Sequence, residues 1–434
     1  MRIAWASPIS QRSAIGRDGA DVSRALLARG HTVKIIATDI ESTDDVHDTD
    51  AEIIHWKSIS SEQIARDFDV LVVNIGDNYM FHGGAFTLFG GAPSVGIFHD
   101  FYLYNLFSGW LWQGGARPDD ERGWLHDQQV AQTYGSQARP DALAARSGAL
   151  SLADIAQRLP MTEWMAARCE GALAHSAFYL DRLRASCPGP VQTAAMPVTG
   201  RGIPALGPRG SSRLSVLTVG VMNPNKCVDK VIAAIAASPA LAPALDYHLV
   251  GPIEPSERQR LEELAADLGY LHLTIHGSVD DEVLNAHLTA ADVICCLRNP
   301  VLEGASGSAI EGLLAGRPLI VADAGFYSDL PGDLVFKVPA DIDLTSLTAQ
   351  LERLARDEGL RMHTGAAARL WAESHFNLEA YVLALEGLIH DTISANAVLS
   401  IGKNLGGELR SLGLTAEDPA VERISAVLSE IFPT

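Results

Sequence analysis

Positive charge is scarce in this chain: 33 Lys and Arg stand against 53 Asp and Glu, a formal net charge of -20. Such a balance excludes a general binder of nucleic acid or of anionic membranes, because a polyanion would be repelled over most of the surface. Long hydrophobic runs are also missing. No apolar stretch reaches the roughly 18 residues expected of a membrane span, and no charged-then-apolar leader opens the chain. A cytoplasmic location is expected, with peripheral contact at the inner face of a membrane left open. The five cysteines, Cys169, Cys187, Cys227, Cys295 and Cys296, are odd in number and lack the paired spacing of a zinc site. Absent too are G-x-G-x-x-G after a strand, the P-loop, the G-x-S-x-G elbow and H-E-x-x-H, which removes the usual support for dehydrogenases, P-loop kinases, common serine hydrolases and zincins. Asp48-Thr49-Asp50 has a D-x-D form but lies in an acidic stretch that reads as a solvated loop. No metal site is expected.

What is present is alternation. At 434 residues the chain can bury two cores. Ile3 to Ala6, Val33 to Ala37, Val70 to Asn74, Val95 to Phe98 and Ala172 to His175 read as short buried strands with helices between most of them. A second series follows: Leu214 to Gly220, Tyr247 to Val250, Leu273 to His276, Val293 to Leu297, Leu319 to Val321 and Val335 to Lys337. This is the pattern of two parallel α/β sheets. The Pro-, Gly- and Ser-containing stretch Pro197 to Ser212 is the natural linker. In the first helix Asp18 or Asp21 is the expected cap and Gly30 the stop. Seven aromatic side chains between Phe98 and Trp112 form either a core helix or a surface for sugar or lipid.

Glu303 and Glu311 frame Glu303-Gly304-Ala305-Ser306-Gly307-Ser308-Ala309-Ile310-Glu311, between an apolar strand and a helix. A small-residue turn entering a helix offers free backbone N–H groups and partial positive charge to a phosphate. Ser306, Gly307 and Ser308 would form that anion site, and a carboxylate one to two turns inside the helix can accept hydrogen bonds from a ribose diol. The segment resembles the E-x7-E motif of retaining GT-B glycosyltransferases of the family-four type, and the continuation Gly312 to Val321 resembles that family's helix, turn and strand.

The resemblance implies a fold class: α/β, with two Rossmann-like domains facing each other across a cleft. It divides the chain into an acceptor-side domain over 1–200, a donor domain over 213–376, a helix at about 377–392 returning to the first domain, and a helical extension over 395–434. Val216 to Lys226 is similar to the family's strand and loop ending in a phosphate-binding Lys, so Lys226 is the expected diphosphate cation, with Asn223 beside it. The family's Arg five residues earlier is replaced by Val221, and Arg298 is a substitute. Gly16 matches the glycine-rich loop after the first strand. His99 matches the histidine near the transferred sugar, and Asp77 and His82 are further acceptor-side candidates.

By the same resemblance Glu311 holds ribose, Glu303 the donor sugar and His99 the reacting ring. The activity implied is metal-independent transfer of a hexose-type sugar, with retention, from a nucleoside diphosphate to a hydroxyl on a glycan or lipid-linked glycan. The nucleotide sugar is a substrate, and no cofactor is expected. A sugar phosphorylase or nucleotide-sugar epimerase on the same fold, and a noncatalytic nucleotide-sugar binding subunit, are competing readings. In the tail, Val421, Ile424, Val427, Leu428 and Ile431 form an apolar stripe that must be covered, by the chain itself, by a second protomer or by a membrane.

Overall fold

The computed structural model describes residues 1–41, 44–114, 118–198, 213–414 and 418–431. All but the first two residues of the linker segment 197–212 lie outside the described residues. The first sheet has seven parallel strands: β1 (Arg2–Ser7), β2 (Thr32–Ala37), β3 (Glu52–His55), β4 (Val70–Ile75), β5 (Ser94–Phe98), β6 (Gly171–Ala174) and β7 (Val191–Thr193), in the order β3-β2-β1-β4-β5-β6-β7. The second has six: β8 (Leu214–Val219), β9 (Leu245–Val250), β10 (Leu273–Gly277), β11 (Val293–Cys296), β12 (Leu319–Ala322) and β13 (Phe336–Val338), in the order β10-β9-β8-β11-β12-β13. Helices cover both faces, so central strands such as β4, Val-Leu-Val-Val-Asn-Ile, are buried at every residue and nearly continuous in apolar side chains.

The sequence reading missed β3 and β7. Both are sheet edges, the first half-exposed along its length and the second only three residues long. Neither carries a full apolar run.

Strand order reverses between β1 and β4 in one sheet and between β8 and β11 in the other. Crevices open beyond the carboxyl ends of strands at such switch points. The loop after β8 carries Lys226, the loop after β11 carries Arg298 to Ser306, and β5 leads into His99.

Two expectations about helices are corrected. The first helix, Ala14–Ala28, is capped by Ser13, whose side chain accepts from the Gly16 N–H at 3.1 Å, and not by Asp18 or Asp21. The C-terminal helix does not end near 392: it runs unbroken from Leu378 to Ser411. Its first half covers the first sheet, with Tyr381, Val382, Leu385, Leu388 and Ile389 buried in the same core as Ile3, Val72 and Val95. Glu386 fixes it to the first helix through two 2.8 Å hydrogen bonds from Arg29. The stretch Glu358–Leu409 contains an 18-residue window of mean hydropathy 1.2, 28% buried, apolar enough by length and composition to cross a membrane. The sequence reading saw no such run. The buried face against the first sheet accounts for part of that hydropathy.

Candidate active site

Lys226 ends a short 3-10 turn, Pro224–Lys226, and points back into the second domain, where its Nζ donates to the Val219 carbonyl at 2.6 Å. Gly220 makes room for it: its φ is +102°, and a Cβ there would lie 2.9 Å from Nζ. Burial, with the Arg298 charge nearby, lowers the Lys226 pKa to about 7. An ammonium so poorly solvated gains more than a surface lysine from an arriving anion.

Arg298 follows β11 and is buried. Its Nε lies 2.8 Å from Glu303 Oε1, which also accepts from the Tyr327 hydroxyl at 2.7 Å. Burial alone would raise the Glu303 pKa, but the Arg298 charge and the Tyr327 hydrogen bond leave it lowered, so Glu303 is a carboxylate. An Arg298 Nη also reaches Ser308 Oγ at 3.4 Å. Ser306 caps the helix Gly307–Leu314, its Oγ accepting from the Ala309 N–H at 3.4 Å. Glu311 lies one turn into this helix, buried, with its Oε1 3.9 Å from Arg17 of the first domain. The structure therefore groups Lys226, Arg298 and Glu303, and connects them to Ser306, Gly307, Ser308 and Glu311 through one loop and one helix.

The same loop reaches the first domain. Gly304 N–H donates to the His99 carbonyl at 2.8 Å, and Phe101 and Tyr102 N–H both donate to the Leu302 carbonyl at 2.9 Å. His99 is buried, with Nε2 3.0 Å from Asn74 Oδ1 and Nδ1 3.2 Å from His175 Nε2; His175 Nδ1 in turn lies 3.2 Å from the Ala194 carbonyl. The Asn74 amide is oriented by donation to the Ala6 carbonyl. Both ends of this chain are acceptors, so its three links need three protons while two neutral imidazoles carry two. Burial pushes His175 down to about 4 and His99 well below the usual range, which keeps both rings neutral and the relay one proton short. Asp100 stands beside them, bridged to Glu303 through the backbone, and burial raises its pKa to about 7.

Several candidates are not where the sequence reading put them. Asn223 is exposed; its neighbour Asn225 is the buried one, with Nδ2 3.4 Å from the Pro300 carbonyl and Oδ1 unpartnered. Gly16 lies not in a loop but in the first helical turn, where a Cβ would come within 2.9 Å of the Pro8 carbonyl. Asp77 is a structural cap: its carboxylate accepts from Asn105 and Leu106 N–H at 2.8 and 3.0 Å, holding the start of the helix Tyr104–Trp112. His82 is buried with Nδ1 3.0 Å from the Asn74 carbonyl. Of the aromatic run, Phe98, Phe101, Tyr102, Tyr104 and Phe107 are core residues, and Trp112 is exposed. Asp48 and Asp50 both face Arg24. Tyr327, His175 and Arg17 went unread, since none belongs to a local pattern, and Asn225 was passed over inside the Val216 to Lys226 segment in favour of Asn223.

Residues 208–371 match the family described as glycosyl transferases group 1. The match takes in the second sheet as far as β13 and the loops that carry Lys226, Arg298 and Glu303. Solved structures match nearly the whole chain. Sucrose-phosphate synthase from Thermosynechococcus elongatus is 17% identical over 91% of this chain and 100% of its own, with a TM-score of 0.61. A glycosyltransferase from Rickettsia africae is 15% identical over 90% of this chain and 98% of its own, also at 0.61. HepE from Anabaena, in complex with UDP and glucose, is 13% identical over 89% and 98%, with a TM-score of 0.58. Among curated proteins no sequence match was found. With two parallel α/β sheets and these neighbours, the two domains form a GT-B fold.

Proposed function

We propose that this protein is a retaining glycosyltransferase that moves a sugar from a nucleoside diphosphate to an acceptor hydroxyl in glycan or glycoconjugate synthesis. The observation that carries the reading is convergence: two buried cations from different loops, Lys226 and Arg298, flank Glu303, whose loop is hydrogen-bonded to the His99 backbone across the cleft. As the glycosidic bond breaks, charge grows on the leaving diphosphate, and fixed cations in a dry site stabilise that charge more than they stabilise the ground state. Lys226 and the helix start at Ser306 supply this, with Arg298 as the second cation. Glu311 takes the ribose hydroxyls, Glu303 the donor sugar, and neutral His99 the reacting ring. The leaving phosphate itself takes the proton of the incoming hydroxyl, and no metal ion is needed. UDP and glucose bound to the Anabaena neighbour support a nucleotide sugar as donor.

The test is hydrolysis of a nucleotide-sugar panel by the full-length protein, followed by mass spectrometry of products formed with candidate acceptors and NMR assignment of the anomeric configuration. Transfer with retention, unaffected by chelator, is expected. Inversion, strict dependence on Mg²⁺ or Mn²⁺, or sugar phosphate released only with inorganic phosphate would each overturn the reading.

A further inference from the structure

Three histidines from separate elements meet on one face of the second sheet. Along β9, Tyr247 and Leu249 enter one core and Val250 the other, so strand alternation puts His248 on the face covered by the helix Asp281–Ala290. His287 comes from that helix. His276 comes from the edge strand β10, at the residue where the register with β9 shifts between Ile275 and Gly277. His248 Nδ1 lies 3.1 Å from His276 Nε2; the ring centroids are 4.3 Å apart for His276 and His287, 5.4 Å for His248 and His276, and 5.9 Å for His248 and His287. His276 is exposed and the other two half-buried, so solvent protons reach the cluster. Among the described residues no group of three His, Cys, Asp or Glu side chains is arranged to hold a metal ion. The ligand this cluster fits is the proton.

Two imidazole nitrogens at 3.1 Å form a hydrogen bond only while one of them is bare. A second proton sets N–H against N–H and brings two positive charges together. Neighbouring elements offset this little. β8 carries no charged residue. On β9, Asp246 acts on His248 but is shared with Arg213 at 3.6 Å and His272 at 4.0 Å. On the covering helix, Asp280 caps the Val283 N–H, and Asp281 and Glu282 stand in the first turn, more than a turn before His287. Arg317 donates to the Thr289 carbonyl of that helix, and Arg258 of the helix Pro255–Asp267 donates to the Ile275 carbonyl at 3.1 Å, so both bring positive charge. Burial, joined at His248 and His287 by the neighbouring rings, holds all three histidines below their usual range, His287 at about 4.

Backbone contacts link the cluster to Lys226. Gly251 N–H donates to the carbonyl of Gly277, next to His276, at 2.8 Å. A Cβ at 251 would lie 2.2 Å from the Gly220 carbonyl oxygen, and Gly220 is the residue that makes room for Lys226. Movement at the end of β10 is therefore felt at the proposed diphosphate cation.

We propose that His248, His276 and His287 form an acid switch: neutral, they hold β10 against β9 and the covering helix; protonated, they part, loosen the loops around Lys226 and weaken donor binding. The effect on the donor rests on the glycosyl-transfer reading, and the acid opening does not.

The fold favours the neutral rings, so their contribution to stability is whole above the unfolded-state value of about 6.5 and is lost as pH falls from there toward about 4. Denaturant unfolding and histidine NMR titration between about pH 7.5 and 5 test this on the full-length wild type, His287→Gln and His276→Gln. From about pH 7 to 5 the folding equilibrium of the wild type is expected to fall by roughly tenfold more than that of His287→Gln and about threefold more than that of His276→Gln, within the limit of about tenfold per unit for each linked proton. His276 is exposed on an edge strand, so its variant keeps the test readable if His287→Gln fails to fold. Three independent titrations near the ordinary value of about 6.5, or the same acid loss in all the proteins, overturn the proposal. Calorimetry with UDP at the two ends of the range reads the coupling, with the nucleotide's own protonation common to every protein. Wild-type affinity is expected to fall more steeply in acid than that of His276→Gln; equal loss overturns the link to Lys226. If UDP fails to bind the wild type even at neutral pH, the glycosyl-transfer reading falls, and the unfolding and NMR data still decide the switch.

Discussion

Gly304 and His99, from different domains, are joined by a 2.8 Å hydrogen bond between the glycine N–H and the histidine carbonyl. A side chain at 304 has no room: a Cβ would lie 2.5 Å from the Tyr179 hydroxyl and 3.0 Å from the carbonyl oxygens of both Phe98 and His99. Tyr179 is itself fixed, donating to the Phe98 carbonyl at 2.7 Å and accepting the His175 N–H at 2.9 Å. The glycine of this motif therefore serves close approach between the two domains.

Gly304→Ala should separate that contact. Overpacking of this kind costs about 1–3 kcal/mol, and the displaced Glu303 loop should lower turnover as well. Denaturant unfolding and steady-state kinetics on the same preparation check both. An alanine variant with wild-type stability and rate would show that the approach is not needed.

Lys226→Ala should weaken nucleoside diphosphate binding by about 1.5–3 kcal/mol, the range for hydrogen bonds to charged groups. The pH dependence follows from the sign of the shift. In the empty site burial holds Lys226 at about 7, so below that pH it is already an ammonium and above it binding must bring a proton. Affinity should fall as pH rises from 7 toward 9, by at most about tenfold per unit for one linked proton, with proton uptake visible as a buffer-dependent calorimetric heat. The alanine variant should lose this slope; unchanged affinity in Lys226→Ala would remove the residue from the site.

His99→Ala separates binding from chemistry. Its imidazole lies in the first domain, and Lys226 and Arg298, the cations proposed for the nucleotide, lie in the second. Nucleotide affinity is expected to stay close to wild type while turnover drops by roughly tenfold or more, within the range set by one lost transition-state contact. Chelation should not reproduce the defect. Full turnover with the native donor and acceptor would sink the role given to His99.

The last helix, Pro419–Ile431, leaves Val427 exposed and Val421, Ile424 and Leu428 only half-buried. We expect a second protomer or the chain's own surface to cover this stripe, since Glu422 and Asp418 border it and oppose an anionic membrane. Deleting residues 415–434 should lower the melting temperature or dissociate an oligomer without changing nucleotide specificity. If sedimentation and melting are untouched and only liposome binding disappears, the membrane is the partner.

Alternation of buried strands and helices, the Glu303 to Glu311 segment and the Lys226 loop were all legible in the sequence, because each is written within about ten consecutive residues as a period, a turn or a helix start. The carboxyl ends of β8 and β11 followed from the same local signals. What the sequence could not decide was which distant residues meet. Tyr327 holding Glu303, Asp77 capping the Tyr104–Trp112 helix, Gly304 meeting His99 and His248 meeting His276 are contacts between elements far apart along the chain. They carry no periodic signal. The run of the C-terminal helix to Ser411 was hidden for a related reason: its apolar residues face the first sheet for only half its length, so the pattern fades where packing ends while the backbone hydrogen bonds continue. Local propensity set the elements, and only their packing in three dimensions chose which side chains became a site.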